Sequence, residues 1–157
     1  MDSSAIIKTN LIKDFDISMY LTSYELILKE LEIISNKIKL DLKKECMTDD
    51  RVSSSLMEKN QFKCHGFAWF ETYRISLVHT LNWYKTLSET GKASRLEELI
   101  LASGFSEYVL QMRDGIMMSQ SEIIRPINNF GLEVNDFKFL NQSEIKKVLD
   151  YGLSDEV

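Results

Sequence analysis

Proline occurs once and glycine six times in 157 residues, so little in this chain interrupts a helix. Two cysteines and two histidines do not furnish a spaced four-ligand metal set. Cys64-His65 looks like a metal fragment, but the other histidine, His79, stands alone. There is no basic excess. A net charge of −5 argues against nucleic acid or an anionic membrane surface as partner, since both require a basic footprint. The lysine-rich run Lys37, Lys39, Lys43 and Lys44 is interleaved with Asp41 and Glu45, and reads as a solvated helix face. No segment approaches the ~20 apolar residues of a membrane span. The start, Met1 to Lys8, lacks the cationic and apolar regions of a signal peptide. Cys46 and Cys64 are therefore expected as reduced thiols in a cytoplasm. Glycine-rich phosphate loops, nucleophile elbows, paired-cysteine motifs and metal-spaced carboxylates are all missing.

What remains is apolar residues at helical spacing. A single all-α domain over residues 18–157 is expected after an N-terminal arm, 1–17: an up-and-down helical bundle of three long helices plus short ones. The spacing predicts a first helix over about 19–44 and a polar link over 48–55. A second helix runs from Leu56 or Asn60 to Glu89, with Gly91 as terminator. Ser94-x-x-Glu97 is a capping box and opens a third helix, ending near Gly115. Ser119-x-x-Glu122 is expected to open a short helix behind Met117 and Met118, which fill an irregular gap. Pro126 would stop it, leaving Arg125 in a surface or helix-end role. Asn141-x-x-Glu144 is expected to open a last helix that closes at Gly152.

On the first helix Leu21, Tyr24, Ile27, Leu28, Leu31, Ile34 and Ile38 form a core stripe. Leu26, Ile33 and Leu40 mark a second seam, packed internally or against a second copy. The second helix places Phe67, Phe70, Tyr73, Leu77, Val78, Leu81 and Tyr84 in one arc, with Arg74 inside it; His79 falls on the polar side. On the third, Leu101, Phe105, Val109 and Met112 share one side, and Leu96, Ile100, Gly104, Glu107 and Gln111 another. That helix is expected to be sandwiched, with Gly104 permitting a close crossing. A buried arginine needs a carboxylate. The expected cluster is Arg74–Glu107, completed by Gln111, in a structural or acid/base role; Glu71 is the alternative local partner.

Three segments carry a resemblance: His65-Gly-Phe-Ala-Trp-Phe-Glu-Thr-Tyr73, Leu99-Ile-Leu-Ala-Ser-Gly-Phe-Ser-Glu-Tyr108, and Met118-Ser-Gln-Ser-Glu-Ile-Ile-Arg-Pro126. Together they resemble the helical N-terminal extension of bacterial acyl-CoA dehydrogenases of the methylsuccinyl-CoA dehydrogenase-like subgroup. The resemblance implies a non-catalytic module that packs on a dehydrogenase core or self-associates as a homodimer. It also implies that the core would begin near Val157, so its catalytic glutamate and FAD contacts correspond to no residue here. The alternative expectation is a small-molecule binder, with acyl-CoA as first ligand, using a pocket lined by Arg74, Glu107, Tyr108 and Met112.

Overall fold

The computed structural model describes residues 15–155 and 157, so most of the expected arm lies outside the described residues. The long helices are α1 (Leu21–Cys46), α3 (Gln61–Glu89) and α4 (Arg95–Asp114). Shorter ones are α2 (Ser54–Lys59), α5 (Pro126–Asn129) and α6 (Ser143–Gly152), with 3-10 segments at Ile17–Tyr20 and Val134–Asn141. This is the all-α bundle that the periodicity predicts. Gly91 follows α3 in the left-handed region, φ 65°, and Ser94 with Glu97 forms both halves of the capping box at α4. Each satisfies backbone groups that the helix ends leave unpaired.

Tyr24, Ile27, Leu31, Ile34 and Ile38 of α1 meet Phe70, Leu77, Leu81 and Tyr84 of α3 in the core. Leu101, Phe105, Val109 and Met112 of α4 join them, with Ile145, Val148 and Leu149 of α6. Each such side chain contributes roughly 1.5–3 kcal/mol by leaving water. The Tyr24 ring meets Phe105 edge-on at 4.6 Å. Its hydroxyl is buried with no hydrogen-bond partner among the described residues, and burial pushes its pKa well above the ordinary phenol value. Tyr24→Phe removes only that oxygen. Calorimetric unfolding should show a stability unchanged or raised by up to about 1 kcal/mol.

Four local expectations are corrected. Ser119 does not open a helix. Instead β3 (Ile116–Met117) pairs antiparallel with β4 (Ile123–Ile124), and the backbone N–H groups of Met118 and Ser119 donate to the Glu122 carbonyl at 2.9 and 3.3 Å. Ser119 Oγ lies 3.4 Å from Glu122 Oε2, now across a hairpin loop. Pro126 starts α5 rather than stopping a helix, because its missing N–H costs nothing at a first helical position. Arg125 N donates to Asn129 Oδ1 at 2.7 Å, so Arg125 is the residue that precedes the turn. Met118 is buried but Met117 is 62% exposed, so one of the two fills the gap.

The polar link holds a second hairpin, β1 (Met47–Thr48) with β2 (Arg51–Val52). Asp49 and Asp50 both take positive φ, 49° and 58°, as a two-residue turn of this hand demands. Asn141 does not cap the last helix. Gln142 precedes α6 without a side-chain bond, and the capping box lies earlier, where Glu133 and Asp136 open the 3-10 segment.

Candidate functional site

Arg74 does not reach Glu107. It forks onto Glu71, with Nε–Oε1 and Nη2–Oε2 both at 2.9 Å. Glu71 also accepts a hydrogen bond from Ser35 of α1, so this ion pair lies between α1 and α3. Burial pushes the Glu71 carboxyl up, but the bonds from Arg74 and Ser35 outweigh it and hold its pKa below the ordinary value. The same bond to Glu71 raises Arg74. Glu107 is exposed on the outer side of α4, one helix away from the side of α3 that carries Arg74. Gln111 instead accepts from the Tyr73 hydroxyl at 3.2 Å. The local i,i+3 carboxylate wins because its geometry is set by one helix and needs no neighbour. Ser35, buried inside an otherwise apolar stripe, is the site residue that sequence reasoning missed.

Between α3 and α4 the contact is aromatic. Tyr73 stacks on Tyr108 with ring centroids 4.4 Å apart, and Trp69 meets Tyr73 edge-on at 6.3 Å. Trp69 Nε1 donates to His65 Nε2 at 3.0 Å. Behind this row, Gly66 lies under Ile124: a Cβ there would fall 2.6 Å from Ile124 Cγ1. His65–Tyr73 therefore touches both Leu99–Tyr108 and Met118–Pro126.

The outer side of α4 is not sandwiched. Leu96 is 61% exposed and Ile100 46%, and a Cβ added at Gly104 would meet nothing within 4 Å. Gly104 is thus an open notch beside apolar residues, not a crossing point. The close crossing is at Gly152 of α6. Of the second seam of α1, Leu26 packs against the core, whereas Ile33 and Leu40 are exposed.

No family model matches this chain. Over 107 residues, 68% of its length, the chain is 37% identical to (2S)-methylsuccinyl-CoA dehydrogenase of Cereibacter sphaeroides. The chain is similar to part of an acyl-CoA dehydrogenase. That match bears out the resemblance to an acyl-CoA dehydrogenase. It covers 19% of the relative, so this dehydrogenase-like chain spans about a fifth of the length of the protein it matches.

The pocket expected from Arg74, Glu107, Tyr108 and Met112 does not form. Arg74 turns to α1, Met112 is buried, Glu107 is exposed, and the Tyr108 ring stacks on Tyr73. Grooves lie elsewhere. One, of about 240 Å³, runs between the end of α1 and Asn129–Gly131. Its Lys44 and Lys63 are already paired with Asp41 and Glu45 at 2.7 Å, so it does not fit the pyrophosphate of FAD. A second, of about 360 Å³ and mostly apolar, is walled by Leu42, Met47, Val52, Met57 and Phe67, with Lys39 and Lys43 at its edge. Among the described residues no group of three or more His, Cys, Asp or Glu is placed to hold a metal ion. None of the described helices is long and apolar enough to cross a membrane. His79 is exposed, in keeping with a solvated histidine.

Proposed function

We propose that this chain is a non-catalytic docking module for an acyl-CoA dehydrogenase core, and that the outer side of α4 carries the contact. The observation that supports this most is the exposed apolar pair Leu96 and Ile100 beside the open notch at Gly104, bordered by the Tyr73–Tyr108 stack, on a chain similar to a fifth of a dehydrogenase. Adjacent exposed apolar side chains on one helix mark an interaction surface more often than a scattered set does. Among the described residues the Arg74–Glu71 pair offers no competing chemistry. Glu71 is held ionised by Arg74 and Ser35, which suits register-fixing and not proton transfer. FAD and the catalytic glutamate belong, on this reading, to the core. Ile33 and Leu40 offer a separate seam for pairing two copies of the chain.

Co-expression with the (2S)-methylsuccinyl-CoA dehydrogenase polypeptide lacking its matched segment tests the reading. The expected result is a soluble complex of the two polypeptides, with light scattering giving equal numbers of each. A core that stays insoluble, or elutes apart from the chain, counts against it.

A second reading rests on the 360 Å³ groove, whose apolar walls and two edge lysines suit an anionic molecule with an acyl tail. Isothermal titration with short and medium acyl-CoAs should give saturable heat if this is right; none removes it.

A further inference from the structure

Cys46 ends α1 and Cys64 lies in the first turns of α3, and their Sγ atoms are 3.6 Å apart. The frame around them is held independently. Lys63 pairs with Glu45 at 2.7 Å, Asn60 Nδ2 donates to the carbonyls of Glu45 and Leu56, and Ser53 N donates to the Cys46 carbonyl at 2.9 Å. Neighbours on both sides of the pair are therefore tied by bonds that do not involve sulfur. A disulfide of about 2.05 Å requires the sulfurs to close by roughly 1.5 Å, within reach of side-chain rotation. Both thiols line the 360 Å³ apolar groove, which gives a small oxidant a route to them.

We propose that Cys46 and Cys64 are a dithiol modification site, converted to an intramolecular disulfide by exchange with a small-molecule disulfide such as oxidised glutathione. Cys64, the more exposed of the two, loses its proton to solvent and its thiolate attacks the external disulfide, forming a mixed disulfide and releasing one thiolate. Cys46, deprotonated in turn, attacks the Cys64 sulfur and expels the second thiolate. The two protons end on the two released thiolates; the protein's thiols are oxidised and the external disulfide is reduced to two thiols. The bond closes the loop that contains the β1–β2 hairpin and α2, and so fixes one wall of the groove.

The reaction has a distinctive pH dependence. Burial pushes the Cys64 thiol up to about 11, helped by Cys46 and Glu45, while Lys63 opposes the shift. Lys39 and Lys43 stand at the groove edge. The thiolate fraction, and with it the rate, should rise about tenfold per pH unit from pH 7 to 9, without the plateau that an ordinary thiol shows near 8.5.

The test is incubation of the intact chain with excess oxidised glutathione, followed by intact mass, thiol titration and thermal unfolding. Loss of 2 Da with no retained glutathione, fall of free thiols from two to none, and a rise in Tm of about 6–12 °C are expected. A persistent glutathione adduct, a disulfide between two chains, or an unchanged or lowered Tm after oxidation overturns the proposal. Cys46→Ser should stop the reaction at a stable adduct on Cys64; an unmodified Cys46→Ser chain overturns the order of attack.

Discussion

Replacing Gly152 with alanine should lower the melting temperature by roughly 6–12 °C, the consequence of about 3 kcal/mol lost to overpacking. A Cβ at this position would lie 2.2 Å from the Ala102 carbonyl oxygen, 2.2 Å from Ser106 Oγ and 2.7 Å from the Ala102 carbonyl carbon. Ser106 can rotate, but the carbonyl belongs to the backbone of α4, where Ala102 and Ser106 are fully buried. Relief requires α6 to move away from α4, which opens the contacts of Ile145, Val148 and Leu149. Gly104→Ala should act in the opposite sense. Nothing stands within 4 Å of the added carbon, so alanine's helix preference should raise stability by about 0.5–1 kcal/mol. Differential scanning calorimetry on both variants checks the pair. A destabilising Gly104→Ala with a silent Gly152→Ala would mean that the close crossing has been assigned to the wrong helix.

Glu71→Gln should cost about 2 kcal/mol at neutral pH, below the 3–5 of a fully buried pair because both partners retain some exposure. The side chains of Arg74 and Glu71 are 15% and 29% exposed, and glutamine leaves the guanidinium without its counter-charge. The pH dependence follows from the direction of the shift. The folded pKa of Glu71 lies below its ordinary 4.5, so the unfolded chain takes up its proton first as pH falls. This contribution is therefore complete above about pH 4.5 and disappears as pH drops through the folded value. The gap between wild type and Glu71→Gln in urea unfolding should be constant from pH 6 to 8 and narrow below 4.5. Glu107→Gln should stay within about 0.5 kcal/mol of wild type throughout, as exposed substitutions do.

Much of the fold was legible because burial repeats with the helix. Tyr24, Ile27, Leu31, Ile34 and Ile38 recur at helical spacing, and one proline in the whole chain left few places to break. The hairpin at Ile116–Ile124 was not legible, because Ser-x-x-Glu satisfies a helix start and a tight hairpin loop equally well. Only the pairing of Ile116 with Ile124 and Met117 with Ile123 tells them apart, and helical spacing does not announce it. The Arg74 partner was ranked second, behind Glu107, for a related reason. Periodicity says which side of α3 a residue occupies, not which helix stands there. Glu71 needed no such knowledge. Gly152 closes α6 as expected, but the close crossing expected at Gly104 falls at Gly152 instead, because a glycine's spacing carries no sign of what approaches it.

The two exposed seams give different answers to one measurement, the affinity of variant chains for the dehydrogenase core in the complex described above. Ile100→Glu should weaken binding at least about 30-fold, as loss of a central apolar anchor does, while Ile33→Glu should leave it within about twofold. Equal affinities for wild type and Ile100→Glu, or a loss confined to Ile33→Glu, would contradict docking through the outer side of α4.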